Sequence, residues 1–231
     1  HSPPVPAIPC PLCRERALVV FYEQTEAIPW RLYSPGSDRA QSLLFYRCCH
    51  CNLITKDPAV RSTAEQQRRH YEKHNNDLSD VGYREHLMRV IRPLRSLLEE
   101  NANGLDYGCG PILSIGTLMK AEGIECHSFD PLFFPDDTLL TEDTYDFITC
   151  SEVVEHFNDP RKEFQHLYEM LRPGGFLAVM TQLPPLSFKG WWYHRDPTHV
   201  VFYSEETFDW IAKHWNMCPV FLAENVFILK K

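Results

Sequence analysis

The stretch Asp106-Tyr107-Gly108-Cys109-Gly110 joins two predicted elements near the middle of the 231-residue chain, a strand over residues 104–107 and a helix over residues 112–122. Two glycines at such a junction let the backbone approach a ligand at the carboxyl end of the strand, because no side chain blocks it. The stretch therefore predicts a ligand-binding turn in a parallel α/β sheet.

A second predicted strand, residues 125–129, ends at Asp130, which lies 20 residues after Gly110. A carboxylate at the tip of this strand can accept hydrogen bonds from ribose hydroxyls. Nicotinamide dehydrogenases and S-adenosylmethionine (SAM) enzymes both use such a turn and acid. Two positions favour SAM. Asp106 can meet the amino group of a methionine moiety, and Leu113 stands where the dinucleotide fingerprint has Gly or Ala.

Strands and helices alternate along the rest of the chain. Further strands are predicted over residues 145–149, 176–180 and 226–230, and further helices over residues 161–171 and 204–215. Alternation of this kind predicts an α/β fold with a doubly wound, mostly parallel sheet.

The first 103 residues differ in character from this α/β region. We predict a small β module over residues 1–56, a helical linker over 57–103 and the α/β domain over 104–231. Apolar residues recur at three-to-four-residue steps between Leu87 and Leu98, which indicates a buried helix face. Pro93 within that run predicts a kink or a break, because proline removes a backbone donor and crowds the preceding turn.

Four cysteines form two matched pairs in the predicted β module, Cys10 with Cys13 and Cys48 with Cys51. Thiolates at this C-x-x-C spacing can bind one tetrahedral zinc ion, and a four-thiolate site is closed and therefore structural. Cys49 or His50 could replace a neighbour as a ligand, and free or redox-active cysteines are the alternative reading. Metal binding by reduced thiols favours a cytoplasmic location.

Charge is spread unevenly over the chain, whose formal net charge is −8. Residues 104–231 contain 9 Lys and Arg against 19 Asp and Glu. This acidic half argues against a nucleic-acid duplex as the main partner, because it repels polyanions. No apolar run is long enough to span a membrane, so no membrane association is expected. The sequence gives no indication of the oligomeric state.

Three later stretches, residues 151–157, 171–176 and 195–203, follow the turn in the order and spacing of one superfamily. The chain resembles the class I SAM-dependent methyltransferases, and among them the bacterial methyltransferases with an N-terminal zinc-ribbon-like module. This resemblance implies a Rossmann-like methyltransferase fold. The sequence departs from it at Ile112, where many relatives have a third glycine. It also departs over residues 131–143, an interval with little room for the usual third strand and helix.

The same resemblance implies which residues hold SAM. Most lie in the glycine turn, at the tip of the second strand and at the end of the fourth. Tyr71, His74, Asn75 and Tyr83 form a polar and aromatic cluster like the family's linker, although a plain helix surface explains them equally well. The implied cofactor-binding residues are Asp106, Tyr107, Gly108, Gly110, Asp130, Pro131, Ser151, Glu152 and Tyr83.

Candidate catalytic residues lie beyond the fourth predicted strand. Methyl transfer from a sulfonium is an in-line displacement, so the protein must align the acceptor and remove its proton. His156, His199 and Glu155 are the candidates. With Glu152 they resemble the pattern of small-RNA 2′-O-methyltransferases and, in part, of ubiquinone-pathway O-methyltransferases, which implies a divalent ion that activates a hydroxyl. The structural alternative is that Glu155 and His156 begin a loop and cap the next helix.

These observations predict a SAM-dependent methyltransferase that acts on a small-molecule acceptor, at oxygen. Two alternatives stay open. The first is an RNA or protein methyltransferase, which the metal-like pattern and the cysteine module favour and the acidic half disfavours. The second is a non-enzymatic zinc adaptor with a vestigial methyltransferase fold, which Ile112 and the short interval after Pro131 would explain.

Overall fold

The computed structural model describes residues 6–26, 42–58, 62–73, 77–223 and 225–231. His74 and Asn75 lie outside these ranges. The chain forms two compact units. The first unit comprises residues 1–63, 155–161 and 182–210, and the second comprises 64–154, 162–181 and 211–231. These units group the chain differently from the three predicted domains, whose boundaries stay a prediction.

The second unit is built on a six-stranded sheet. Its strands are β4 (Asn103–Tyr107), β5 (Glu125–Phe129), β6 (Tyr145–Ser151), β7 (Leu171–Met180), β9 (Cys218–Ala223) and β10 (Val226–Lys230). They lie in the order β5-β4-β6-β7-β10-β9. Strands β5, β4, β6 and β7 run parallel, whereas β10 is antiparallel to β7 and β9 is antiparallel to β10. The predicted doubly wound, mostly parallel sheet is therefore confirmed.

The described residues also form five α-helices, besides short 3-10 turns. They are α1 (Ala64–Glu72), α2 (Val81–Arg95), α3 (Ser114–Ala121), α4 (Pro160–Met170) and α5 (Glu205–His214). Helix α2 begins at Val81, before the predicted apolar run, and is capped by Asp80, whose carboxylate accepts the N–H of Tyr83. The run extends past the end of the helix, since Leu97 and Leu98 follow Arg95. Pro93 lies in its last turn, and the helix ends two residues later.

The core of the second unit forms where α2 and α3 pack on the sheet. Leu87, Val90, Ile91 and Leu94 are the buried residues of α2, and they belong to one cluster with residues of α3, β6, β7 and β10. Burial of each such side chain contributes about 1.5–3 kcal/mol relative to exposure. The face of α2 that the sequence predicts to be buried is therefore the face that packs on the sheet.

Strand β5 forms one edge of this sheet, because no strand of the described chain pairs with its outer side. The interval from Pro131 to Asp143, predicted to be too short for a further strand and helix, contains a short 3-10 helix at Asp137–Leu139.

The first unit contains a four-stranded antiparallel sheet with the order β1-β2-β3-β8. Its strands are β1 (Leu18–Gln24), β2 (Leu43–Cys48), β3 (Ile54–Lys56) and β8 (Val201–Phe202). Strand β8 comes from a distant part of the sequence and pairs with β3 through Ile54↔Phe202 and Thr55↔Val201. The described part of the chain contains no helix long and apolar enough to cross a membrane.

Candidate functional site

The glycine turn follows β4 in the second unit, as predicted. The N–H groups of Gly108 and Cys109 both donate to the carbonyl of Phe129, at 2.8 and 3.0 Å, so the turn is tied to the end of β5. Gly108 has a φ of 80° and Gly110 a φ of 70°, which side-chain-bearing residues rarely adopt. A Cβ on Gly108 would lie 2.6 Å from a methyl group of Val153. The turn therefore requires glycine at this position on two grounds.

Asp130 holds the loop that follows β5. One carboxylate oxygen accepts the N–H of Gly110 at 2.9 Å, and the other accepts those of Leu132 and Phe133 at 2.8 and 3.2 Å. A carboxylate offers about four lone-pair positions, so capacity for one further donor is left. Asp130 therefore shapes the turn in addition to its predicted role as a ribose acceptor.

Asp106 lies in β4 and is 3% exposed. Its carboxylate accepts the hydroxyl of Thr149 at 2.8 Å and is in no ion pair with a described residue. Burial raises the pKa of Asp106 to about 7, the negative charge of Asp130 acts in the same direction, and the Thr149 hydrogen bond opposes both. A buried carboxylate without a cation is costly, and a cationic ligand would offset that cost.

The end of β6 supplies two more of the predicted residues. The hydroxyl oxygen of Ser151 is buried and has no hydrogen-bond partner among the described residues. Glu152 has a φ of 56°, and its carboxylate lies 3.4 Å from Nε2 of His86. Buried polar atoms in folded proteins nearly always have a hydrogen-bond partner, and a bound ligand would supply one for Ser151.

The other predicted cofactor residues lie nearby in the second unit. The hydroxyls of Tyr83 and Ser114 are hydrogen-bonded at 3.3 Å. The side chain of Tyr107 is engaged elsewhere, since its hydroxyl donates to Glu163 at 2.6 Å and its ring stacks on Phe129. Pro131 is exposed on the loop after β5. Only the backbone of Tyr107 is therefore available to a ligand at the turn.

Glu155, His156 and His199 come together in the first unit, and one potential ligand atom from each lies within 4.8 Å of the others. Nδ1 of His156 is 2.9 Å from the carbonyl oxygen of Thr198, and Nδ1 of His199 is 2.8 Å from that of Tyr193. A carbonyl oxygen can only accept, so the ring proton sits on Nδ1 in both histidines. In the neutral form of each ring the lone pair is therefore on Nε2, as in histidines that bind metals.

Two members of this cluster, Glu155 and His199, are buried. Glu155 is fully buried and accepts the hydroxyl of Tyr193 at 2.5 Å. Burial lowers the pKa of His199 to about 3, and the neighbouring His156 acts in the same direction. The set of groups that could hold an ion in this part of the described chain does not include Glu152, which was predicted as a fourth ligand.

Cys10, Cys13, Cys48 and Cys51 form a second cluster in the first unit. All four are buried, and none is in a disulfide. The sulfur atoms of Cys10 and Cys51 are 3.6 Å apart and those of Cys13 and Cys48 are 3.5 Å apart. Around a tetrahedral zinc ion with bonds of about 2.3 Å, sulfurs lie about 3.8 Å apart, close to these distances. The exposed Cys49 is not part of the cluster.

Residues 82–217 match the sequence profile of a family described as "Methyltransferase domain". This match covers more than half of the chain. The chain belongs to the methyltransferase-domain family. The fold and family that the resemblance implied are thus confirmed.

Curated relatives of this methyltransferase cover less of it. The ubiquinone biosynthesis O-methyltransferase of Colwellia psychrerythraea is 29% identical over 84 residues, which are 36% of this chain and 34% of the relative. That of Cronobacter sakazakii is 33% identical over 89 residues, 37% of this chain and 36% of the relative. The chain thus spans about a third of the length of these relatives.

Solved methyltransferases share the fold. The 1,6-didemethyltoxoflavin-N1-methyltransferase of Burkholderia thailandensis, solved with S-adenosylhomocysteine, has a TM-score of 0.53 at 14% identity and covers 79% of this chain and 97% of its own. A SAM-dependent methyltransferase from Archaeoglobus fulgidus has a TM-score of 0.50 at 18% identity, covering 63% and 92%. At these identities the likeness shows the fold alone.

Sequence reasoning missed several residues that complete these clusters in the methyltransferase. Thr149 donates to Asp106, Tyr193 donates to Glu155, and the carbonyl of Thr198 orients His156. A threonine and a tyrosine carry no signal of their own in a single sequence. Backbone carbonyls carry none at all.

Proposed function

We propose that this chain transfers a methyl group from SAM to a hydroxyl oxygen of a small molecule. The observation that carries the choice of oxygen is the cluster of Glu155, His156 and His199, in which both histidines donate from Nδ1 to a backbone carbonyl and use Nε2 in the cluster. An oxygen acceptor must lose a proton to become a good nucleophile, and this cluster offers the chemistry for it. Distant relatives that are O-methyltransferases support the same choice.

The second unit fits SAM through its own residues. Asp106 would accept hydrogen bonds from the ammonium of the methionine moiety, which supplies the cation that the buried carboxylate lacks among the described residues. Asp130 has capacity for a ribose hydroxyl, and the hydroxyl of Ser151 has no described partner. The glycines keep the turn open to the ligand. Tyr83, Glu152 and Pro131 complete the proposed set on the evidence of the resemblance.

We propose that Glu155, His156 and His199 hold a divalent cation. One carboxylate and two neutral imidazoles suit a first-row divalent ion, and each imidazole is oriented by a backbone carbonyl. Such an ion would lower the pKa of a hydroxyl bound to it. The chain's own part is to keep His199 neutral by burial and to hold Glu155 through the hydroxyl of Tyr193.

In the proposed reaction the acceptor hydroxyl loses its proton to solvent and its oxygen forms a bond to the methyl carbon. The carbon–sulfur bond breaks as this bond forms, so the sulfonium becomes the neutral thioether of S-adenosylhomocysteine. No oxidant or further reactant is needed. The acidic second half of the sequence disfavours a polyanionic acceptor, which is why a small molecule is proposed.

The proposal is tested with purified protein, SAM and a panel of low-molecular-weight phenols and alcohols, with release of S-adenosylhomocysteine as the readout. His199→Ala should lower kcat by about 10²–10⁴-fold, because the proposed cation that promotes loss of the hydroxyl proton loses a ligand, and should leave the Kd for SAM unchanged. Exposed His214 supplies a control, since His214→Ala should keep full turnover. Equal loss of turnover and SAM affinity in His199→Ala would show that His199 serves packing.

The cation is tested separately by removing weakly bound metal and adding back Mn²⁺. Turnover should fall on removal and return with Mn²⁺ in the wild type, and the His156→Ala variant should not respond. Metal-independent turnover would contradict the bound ion. Methylation of RNA in place of every small molecule would establish the alternative acceptor, and no turnover on any acceptor would favour the adaptor.

A further inference from the structure

Lys56 is a buried cation that has no role in the proposed methyl transfer. It is the last residue of β3, its side chain is 2% exposed, and burial lowers its pKa to about 8. Its ammonium donates to the carbonyl of Asp196 at 3.1 Å and lies 5.6 Å from the ring centre of Phe45. No carboxylate of the described residues forms an ion pair with it. Such a group costs stability, so its presence calls for a function.

The segment that Lys56 contacts carries His199. The carbonyl of Asp196 accepts from both the Lys56 ammonium and the N–H of His199, each at 3.1 Å. At the other end of the segment, the N–H of Lys56 donates to the carbonyl of Val200 at 2.8 Å. Backbone and side chain of one residue therefore hold both ends of residues 196–200.

The same segment organises the rest of the proposed cation site. The N–H of Val200 donates to the carbonyl of Glu155 at 2.8 Å, and the carbonyl of Thr198 orients His156. Displacement of residues 196–200 would thus disturb His199 directly and the other two ligands through the backbone. All of these groups belong to the first unit.

We propose that Lys56 is a positioning residue that holds residues 196–200 so that Glu155, His156 and His199 keep the geometry of a cation site. Strand β3 begins three residues after Cys51, so the cysteine cluster and the cation site are joined through β3. The cysteine module then serves the proposed reaction as well as folding. This inference rests on the proposed function for its consequence in turnover.

The variant that tests it is Lys56→Met, which keeps an unbranched apolar side chain and removes the ammonium. Amide hydrogen exchange at His199 and Val200 should become about tenfold faster or more, because the segment loses one of its anchors. Binding of Mn²⁺, followed by electron paramagnetic resonance, should weaken by about tenfold, and kcat should fall by up to about 10²-fold with the KM for SAM unchanged. Thermal stability should stay equal or rise, since a buried unpaired cation is removed.

Two controls separate positioning from a general loss of structure. Lys189→Met makes the same change at an exposed lysine of the first unit and should leave exchange, Mn²⁺ binding and turnover as in the wild type. Zinc content of Lys56→Met should equal that of the wild type. If Lys56→Met fails to fold, Lys56→Gln retains a donor for the Asp196 carbonyl and should recover part of the protection of His199.

The outcomes distinguish this inference from the proposed function. Unchanged exchange, Mn²⁺ affinity and kcat in a folded Lys56→Met protein would overturn the role of Lys56. Faster exchange in a protein whose wild type neither binds Mn²⁺ nor turns over any acceptor would support the positioning role and overturn the proposed function instead.

Discussion

Burial and ligand binding favour opposite protonation states of Asp106. A buried carboxyl group prefers to be neutral, whereas a ligand ammonium needs the carboxylate. Because burial raises the pKa of Asp106 to about 7, the group is mostly protonated below neutral pH in the absence of ligand. SAM binding must therefore expel a proton at low pH, and the affinity for SAM is linked to pH.

We expect the Kd for SAM to rise by about tenfold per pH unit well below pH 7, and calorimetry in buffers of different ionisation enthalpy should detect proton release at pH 6. The comparison is confined to pH values below about 7.7, because the amino group of the ligand is about half deprotonated there. Asp106→Asn should bind SAM weakly and without this pH dependence. A Kd that is constant from pH 6 to 7.5 would contradict the role of Asp106.

The ligand-free protein gives an independent check on the same residue. A pKa raised above its unfolded value of about 3.9 stabilises the fold at low pH, and this contribution is lost as pH rises from about 4 through about 7. The free energy of unfolding should therefore decline over that window in the wild type. The Asp106→Asn variant should decline less, as measured by chemical denaturation at each pH.

At the residue scale, the sequence predicts the groups to which the proposed function assigns chemistry, and it misses those that orient them. Asp106, Asp130, His156 and His199 were predicted because charge, position after a strand and spacing mark them. Lys56 could not be found, since a lysine at the end of a short strand gives no signal of burial. Its partner is a backbone carbonyl, which only the folded chain brings near.

The turn between β4 and α3 can be tested as an element, because its two glycines face different surroundings. Both have positive φ, but a Cβ on Gly108 would meet Val153, whereas a Cβ on Gly110 would meet nothing within 4 Å. Gly110→Ala should cost about 1–2 kcal/mol of stability from backbone conformation alone. Gly108→Ala adds a steric conflict and should cost more, about 3 kcal/mol or above.

Thermal unfolding of the two variants, with SAM titration of each, measures this difference. Gly108→Ala should lose SAM binding because Val153 or the turn must move. An equal effect of the two substitutions would show that the contact with Val153 is unimportant.

At the element scale, local pattern was sufficient where one face of an element is buried. The apolar face of α2 was predicted from the spacing of Leu87, Val90, Ile91 and Leu94, which are buried in the structure. Strand β9 was not predicted, because it is mostly exposed and lacks an apolar alternation. The two-residue β8 could not be seen either, since its existence depends on pairing with β3, about 145 residues away in the sequence.

At the scale of the whole molecule, sequence order did not reveal how the segments group. The first unit draws on three separated stretches, and the hydrogen bonds of Lys56 in β3 join the stretch that contains the cysteine cluster to the stretch that contains His199. Local sequence signals can place a boundary at a change of composition. They carry no information on which distant stretches join the same unit.

Zinc bound by the cysteine cluster should stabilise the first unit more than the second, because all four cysteines belong to the first unit. Wild-type protein should contain about one zinc ion, as expected for one four-thiolate site, and Cys51→Ser should lose it. The matched control is Cys49→Ser, because Cys49 is exposed and lies outside the cluster. That variant should retain its zinc.

Loss of zinc should then affect turnover without affecting SAM binding. Asp106, Asp130 and Ser151 all belong to the second unit, so the Kd for SAM of Cys51→Ser should stay near the wild-type value. Turnover should fall because β3, which begins three residues after Cys51, holds the segment of His199 through Lys56. Elemental analysis, SAM titration and S-adenosylhomocysteine release on the same samples measure all three quantities. A zinc-free variant with full turnover would show that the proposed cation site does not depend on the cysteine cluster.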